Sequence, residues 1–89
     1  MVTSIILMNV KRDQVGEIAE QLADMPEVSE AYSVSGKYDL IAIVRVKTND
    51  ELAHLVTDRL AKIKGIEKTD TTLAFKAYSK YDLEAMFAI

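Results

Sequence analysis

The fold of this chain is decided by the stretch SGKYDLIAIVRVK, residues 35–47. Gly36 accepts the positive φ that a tight hairpin turn requires, so this turn joins two antiparallel strands. The strand after the turn, predicted over Tyr38–Lys47, is apolar in both of its alternating rows, which indicates burial on both faces. Those rows are Ile41 and Ile43 on one side, and Leu40, Ala42, Val44 and Val46 on the other.

The strand before the turn, predicted over Glu27–Ser35, has the pattern of a half-solvated sheet edge. Val28 and Tyr32 fall in one of its rows, and the other row consists mainly of serines. Upstream, Val2–Val10 is predicted to be another strand that is apolar in both rows. Between these two strands, a helix with apolar residues at helical spacing ends just before Pro26, because proline disfavours helical backbone in the residue that precedes it.

Downstream of the hairpin, residues 48–51 (TNDE) form a capping box that predicts the start of a second helix. Its apolar stripe consists of Leu52, Leu55, Val56, Leu60 and Ile63, and Gly65 ends it. The last strand is predicted over Ile66–Tyr78, with charged side chains in one row that keep an edge soluble. Ser79 then begins a predicted short helix, whose apolar patch of Leu83, Met86 and Phe87 is expected to contact another copy of the chain.

The order of these elements is β-α-β-β-α-β within a single domain of 89 residues. Two interleaved right-handed crossovers then give an α+β, ferredoxin-like fold with an antiparallel sheet in the strand order 4-1-3-2. The hydrophobic pattern supports the same order, because the two strands that are apolar in both rows are those that this topology places in the centre.

The uncovered face of this sheet predicts a homodimer. Two helices cover only one face, so one apolar row of each central strand remains exposed, and such a patch exceeds what a monomer normally leaves in water. We therefore expect two copies to bury about 800 Å² per partner through this face. The alternative is that the C-terminal tail folds back over its own sheet.

The composition argues against several classes of protein. There is no cysteine, and no cluster of histidines or carboxylates has ligand spacing, so we expect neither a metal site nor a cofactor. The net charge is −3, with lysines and arginines scattered among acids, which argues against direct binding to nucleic acid. The longest apolar runs are far too short to span a membrane, and we expect a cytoplasmic protein.

One edge of the predicted sheet collects residues that suit a small ligand. The candidate ligand-binding residues at this edge are Gly36, Tyr38, Asp39, Thr69 and Thr71. A zwitterionic ligand needs an acceptor for its ammonium, which Asp39 offers. It also needs donors for its carboxylate, which backbone amides near Gly36 and the threonine hydroxyls offer. Each residue also has a local structural explanation, as a turn glycine, a strand start or a strand threonine.

The blocks at residues 34–40 (VSGKYDL) and 65–71 (GIEKTDT) resemble the effector domain of the Lrp/AsnC family of amino-acid-responsive transcription regulators, a module called RAM. The resemblance runs over residues 2–78. It implies a βαββαβ fold, dimers formed sheet to sheet, rings of dimers, and amino acids bound at the interfaces between dimers. Carried over to this sequence, Gly36, Tyr38 and Asp39 line the ligand site, with Thr69 and Thr71 opposite.

The resemblance has one departure. Full-length relatives of that family carry an N-terminal helix-turn-helix domain, whereas this sequence starts at the first strand of the effector domain. We therefore expect a stand-alone RAM protein without DNA binding of its own. Its part in transcription regulation would then run through sensing an amino acid, or through co-assembly with a full-length Lrp/AsnC regulator.

Two other functions stay open at this point. Ferredoxin-like dimers include small enzymes such as cofactor-free monooxygenases, and the second alternative is a purely structural oligomerisation module. We predict no catalytic residue, because the sequence has neither Trp nor Cys. The only histidine, His54, lies off the apolar stripe of the second helix, with no base–nucleophile pair nearby.

Overall fold

The computed structural model of the protein describes residues 1–78 and 80. They form the predicted βαββαβ arrangement: β1 (Val2–Val10), α1 (Val15–Ala23), β2 (Val28–Ser33), β3 (Leu40–Val46), α2 (Asn49–His54) and β4 (Ile66–Leu73). A short 3-10 turn, Arg12–Gln14, leads into α1. The predicted C-terminal helix, with Ser79, Leu83, Met86 and Phe87, lies outside the described residues.

The four strands form one sheet in the order β2-β3-β1-β4, and every neighbouring pair is antiparallel. This confirms the ferredoxin-like α+β fold and the central positions of β1 and β3. In each central strand, one apolar row faces the helices and the other apolar row faces away from them.

The face of the sheet beneath the helices, here called the covered face, holds the core. Ile6 and Met8 of β1 and Leu40 of β3 are fully buried in one cluster with Ile18 and Leu22 of α1. The other buried apolar residues are Val10, Val28, Ala42, Val44, Val46, Leu55 and Leu60. Because burying one large aliphatic side chain contributes about 1.5–3 kcal/mol, this cluster is the main source of stability.

The opposite face, here called the open face, consists of the alternate residues of the same strands. Its apolar centre is Ile5, Leu7, Ile41 and Ile43, of which Ile5 is 37% exposed and the others half-buried. The strand register surrounds this centre with Thr3, Asn9, Glu30, Tyr32, Arg45, Lys68, Asp70 and Thr72. The open face is therefore an apolar patch with a polar rim that carries charges of both signs.

The capping box starts α2 as predicted. The Thr48 hydroxyl oxygen accepts a hydrogen bond from the Glu51 amide at 3.1 Å, and the Glu51 carboxylate accepts one from the Lys47 amide at 3.0 Å. After α2 the helix widens into a π turn, Leu55–Arg59, and tightens into a 3-10 turn, Leu60–Lys62. The extra residue of the π turn brings Leu55 and Leu60, both buried, onto the same side of the helix.

Two strands differ from their predicted extents. In β2, Val28 pairs with Val44 but Glu30 pairs with Ile43, so Ser29 is an extra, bulged residue. The bulge puts Val28 on the covered face and Tyr32 on the open face, and the prediction that they share a row was wrong.

The last strand ends at Leu73 instead of Tyr78. It pairs with β1 alone, and its last residue, Leu73, lies opposite Ser4; beyond it the Ala74 amide still donates to the Thr3 carbonyl at 2.9 Å.

Candidate functional site

The candidate ligand site lies at the edge of the sheet where β1 ends and where β3 and β4 begin. The pairing of Met8 with Leu40, and of Val10 with Ile66, brings these three strand ends together. The hairpin turn between β2 and β3 projects from the same edge. Residues of the turn and of the beginning of β4 are therefore close in space, although about 30 positions separate them in sequence.

Asp39 fastens the hairpin to the end of β1. Its side-chain Oδ2 accepts a hydrogen bond from the Val10 amide at 2.9 Å, and its own amide donates to the Met8 carbonyl at 2.9 Å. Its carbonyl accepts from the Val34 amide at 3.0 Å, which closes the hairpin. The charge-assisted bond to Val10 orients the carboxylate and occupies Oδ2, which leaves Oδ1 to accept from a ligand.

Tyr38 reaches across the open face to β4. Its hydroxyl donates a hydrogen bond to Oδ2 of Asp70, and β1 lies between the two residues, so the phenol ring spans the central strand. This hydrogen bond, with smaller contributions from burial and from the carboxylate charge, raises the pKa of Tyr38 above its usual value. The pair forms a fixed aromatic wall at the rim of the open face.

The turn itself is held by Gly36 and Asn9. Gly36 has a φ of +108°, a left-handed conformation that side chains rarely adopt, and apart from its two chain neighbours no atom of the described residues lies within 4 Å of the position that its Cβ would occupy. The Asn9 side-chain amide donates to the Lys37 carbonyl at 2.8 Å and anchors the turn to β1. The space beside Gly36 is therefore free for a ligand.

Thr69 and Thr71 lie on the covered face of β4, on the opposite side from Asp70. They pair with Met8 and Ile6, whose side chains face the helices, so both threonines fall in the row of the covered face. Thr69 lines a small cleft of about 190 Å³ beside Leu60. Within one chain, the five candidate residues thus form two groups, with the threonines on one side of the sheet and the hairpin residues at its edge.

Asp70 is the residue of this edge that sequence reasoning missed as a partner of the hairpin. The sequence pattern predicts only that its charge keeps an edge strand soluble. Tyr38 precedes β3 and does not follow the alternation of that strand, so strand periodicity gives no indication that its hydroxyl reaches Asp70. One feature of the sequence does point to this contact. Asp70 alternates with Thr69 and Thr71 along β4, so it lies on the opposite side of the sheet from them, which is the open face.

Other kinds of site find little support in the described part of the chain. No three His, Cys, Asp or Glu side chains among residues 1–78 and 80 are grouped so that they could hold a metal ion. His54 is exposed on α2, with its Nε2 atom 3.5 Å from Oδ2 of Asp58. None of the described helices combines the length and the apolar character that crossing a membrane requires.

Comparison with protein families matches residues 3–83 to the family model of the Lrp/AsnC ligand binding domain. The chain therefore belongs to the Lrp/AsnC ligand-binding-domain family. The HTH-type transcriptional regulator FL11 of Pyrococcus horikoshii is 35% identical over 75 residues, which are 84% of this chain and 49% of that protein. The chain thus spans about half the length of the first curated relatives that it matches.

Solved structures share this fold. The crystal structure of TTHA0845 from Thermus thermophilus is 41% identical, with a TM-score of 0.83 over 90% of this chain and 100% of that chain. The transcriptional regulator NMB0573 from Neisseria meningitidis, crystallised as an L-Met complex, has a TM-score of 0.77 over 97% of this chain and 59% of that chain. At 16% identity, the second likeness shows the fold alone. The family match and the HTH-type relatives together support a regulatory effector domain.

Proposed function

We propose that residues 1–89 act as one non-catalytic effector domain that binds a small amino acid at the hairpin edge and couples that binding to self-assembly. The domain acts in transcription regulation in the cytoplasm, by ligand-dependent assembly or by co-assembly with a full-length Lrp/AsnC regulator. The observation that carries this proposal is that Asp39 and the Tyr38–Asp70 pair lie at the margin of the apolar open face.

The open face supports the assembly part of the proposal. Cross-strand pairing sets Ile5 beside Ile43 and Leu7 beside Ile41, so the four apolar side chains are contiguous. A second copy related by a two-fold axis presents the same patch, and the rim carries both charges, so the face is self-complementary. Such dimers then join into a larger ring.

The hairpin edge supports the ligand part. The α-ammonium of an amino acid donates to Oδ1 of Asp39, and backbone amides of the turn at Gly36 donate to its α-carboxylate. Thr69 and Thr71 point to the other side of their own sheet, so the threonines that complete a site come from a neighbouring subunit. A ligand shared between subunits stabilises the assembled state over the free dimer, which links binding to assembly.

The described residues favour binding over catalysis. The only histidine is exposed on α2 beside Asp58, and the sequence contains no cysteine. The pKa of Tyr38, the tyrosine at the hairpin edge, is raised above its ordinary value of 10.0, which moves its ionisation still further from neutral pH. A general base or nucleophile requires the opposite shift, so Tyr38 is suited to donate a fixed hydrogen bond.

Calorimetric titration against the twenty amino acids, with L-Met among them, tests the ligand part. Asp39→Asn keeps an oxygen for the Val10 amide but removes the charge, and we expect it to weaken binding roughly ten- to hundredfold, as for a lost hydrogen bond to a charged group. Asp13→Asn, an exposed acid in the 3-10 turn, is the control and should bind normally. The absence of heat with every amino acid would contradict ligand sensing and favour a purely structural module.

Sedimentation velocity tests the assembly part. Ile43→Glu puts an unpaired carboxylate into the centre of the open face, which costs about 3 kcal/mol when buried and raises the dimer Kd roughly hundredfold. Ala53→Glu adds the same charge to the exposed side of α2 and should leave the dimer intact. A wild-type protein that stays monomeric at micromolar concentration, or an Ile43→Glu variant as dimeric as the wild type, rules out the open face as the interface.

A further inference from the structure

A groove lies in the helical layer, between the last turn of α1 and the end of the second helix. Its volume is about 530 Å³, within the range of roughly 300–1,000 Å³ that small-molecule sites occupy. We call it the helix groove. The residues that line it are Gln21, Met25, Arg59, Lys62, Ile63 and Lys64. None of the five candidate residues of the hairpin edge is among them, so the helix groove is a separate feature of the molecule.

The helix groove combines an apolar floor with a basic wall. Met25 and Ile63 are half-buried and pack against the core, so they form the floor. The wall consists of Arg59 and Lys62, which are one helical turn apart, and of Lys64 in the turn that follows. The lining has three cations and no carboxylate, although the whole chain has a net charge of −3. The groove is therefore basic on an acidic protein.

Two of the three cations are held by acids beside the groove. Arg59 donates through Nη1 to Oε2 of Glu27, in the turn after α1, and Lys62 Nζ lies 2.9 Å from Oδ1 of Asp58. A guanidinium has five N–H donors, and this bond to Glu27 uses one of them. Arg59 is thus fixed across the groove and keeps donors for a second anion.

The charge count leaves one positive charge without a counter-charge. Two acids neutralise two cations, whereas Lys64 is exposed and forms no ion pair within the described part of the chain. Cations in the last turn of a helix are favoured by the helix dipole, and this explains Lys62. It does not explain Lys64, which lies beyond that turn. The groove is therefore complementary to a ligand with a single negative charge.

The chemistry of the lining restricts this ligand further. Arginine and lysine bind a carboxylate through charge-assisted hydrogen bonds, and the flexible Met25 side chain adapts to an apolar body of varied shape. A free amino acid fits poorly, because its ammonium would be repelled by the three cations. The side-chain oxygen of Gln21 is the one acceptor that the lining side chains offer it.

We propose that the helix groove binds an organic monocarboxylic acid without an ammonium group, with its carboxylate on Arg59 and Lys64 and its apolar body against Met25 and Ile63. This site is additional to the amino-acid site at the hairpin edge and does not depend on it. The two sites lie on different parts of the chain and select opposite features, since the hairpin edge has Asp39 for an ammonium and the helix groove has none.

NMR titration of the full chain with three molecules of one carbon skeleton tests the proposal. Isocaproate has the carboxylate alone, isocaproamide has no charge, and L-leucine adds an α-ammonium to isocaproate. We expect isocaproate to shift the backbone amide signals of Gln21, Ile63 and Lys64 in a saturable manner. Isocaproamide and L-leucine should bind at these residues at least roughly tenfold more weakly, as expected for a lost charged contact.

A lysine variant with a matched control locates the contact. Lys64→Gln removes the unpaired charge from an exposed position and should weaken isocaproate binding roughly tenfold. Lys47→Gln makes the same change at an exposed lysine after β3 and should bind isocaproate as the wild type does.

Three results would overturn the proposal. The first is isocaproate shifts that do not saturate, or that spread evenly over the chain, which would mean an adventitious anion only. The second is equal binding of isocaproate and either of its two analogues at the groove residues, which would mean that charge does not select the ligand. The third is a Lys64→Gln variant that binds isocaproate as tightly as the Lys47→Gln control. Saturable shifts at the groove with selective loss in Lys64→Gln support the proposal.

Discussion

The covered face and the open face are made by the same strands, yet their side chains meet different surroundings. In β1, Ile6 is completely buried on the covered face, whereas Ile5, its neighbour in sequence, is 37% exposed on the open face. In β3, Leu40 is completely buried and Ile41 is half-buried. The helices cause this difference, because both lie on one side of the sheet.

The difference separates two sources of stability. The covered face is completed within one chain, so a substitution there changes the free energy of unfolding at every protein concentration. The described residues leave the open face uncovered, and in the proposed dimer a second copy covers it. A substitution there should therefore change the free energy of association, and its apparent effect on unfolding should depend on concentration.

The adjacent isoleucines of β1 give the largest expected effect. Ile6→Ala opens a cavity in the core, and we expect it to lower the free energy of unfolding by about 3–4 kcal/mol. Ile5→Ala removes the same atoms from the open face and should cost roughly 1 kcal/mol or less in the monomer, with a larger loss at concentrations where dimers form. Urea denaturation at two protein concentrations measures both. If both variants lost the same free energy of unfolding at both protein concentrations, the two faces would not differ in how they contribute to stability.

Substitution of the two glycines with positive φ, Gly36 and Gly65, is expected to lower stability by an intermediate amount. At Gly65, with a φ of +103°, an added Cβ would lie 2.1 Å from Gln14 Oε1 and 2.8 Å from Ile18 Cδ1, in the packed layer of the covered face. At Gly36 it would meet open space. Gly36→Ala should cost about 1–2 kcal/mol from backbone strain. Gly65→Ala should cost about 1 kcal/mol more from overpacking.

Thermal unfolding of both glycine variants provides the measurement, and the difference between them isolates packing from backbone strain. Equal losses of stability in the two variants would mean that the side chains of Gln14 and Ile18 move to make room for the added methyl group. The covered face near α1 would then be less tightly packed than these distances indicate.

Much of the fold followed from pattern. Both central strands were predictable because each is apolar in both rows, which only an inner strand requires. The start of α2 was predictable because Thr48 and Glu51 satisfy helix-end amides locally, without help from the rest of the chain. The hairpin followed from Gly36, whose conformation depends on the turn alone.

Other features depended on contacts between distant segments. The bulge at Ser29 reverses the faces of β2 residues, and it is set by pairing with β3 and not by the β2 sequence. The end of β4 at Leu73, which lies opposite Ser4 of β1, likewise depends on pairing between distant segments. At the candidate site, the bond between Tyr38 and Asp70 crosses two strand spacings, and Thr69 and Thr71 could be assigned to a side of the sheet only through the register with β1.

Removing the hydrogen bond between Tyr38 and Asp70 is expected to change stability least. This experiment tests whether the polar rim of the open face is already ordered in a single chain. Because the folded-state pKa of Tyr38 lies above the ordinary value of 10.0, this bond stabilises the folded state fully below that pH. Its contribution is lost as the pH rises through the folded-state pKa. Tyr38→Phe should therefore be less stable than the wild type at neutral pH, and this difference should disappear in strong alkali.

Ultraviolet titration of the tyrosinate bands measures the pKa directly. The pKa of Tyr32 is raised in the same way by its hydrogen bond to Glu30, so two late-titrating groups are expected, and Tyr38→Phe and Tyr32→Phe should each remove one. Asp70→Asn keeps an acceptor without the charge and should move only the Tyr38 step back toward its ordinary pKa. A Tyr38 that titrates normally in the wild type would mean that the phenol is free in solution. The rim of the open face would then become ordered only when a second copy or a ligand arrives.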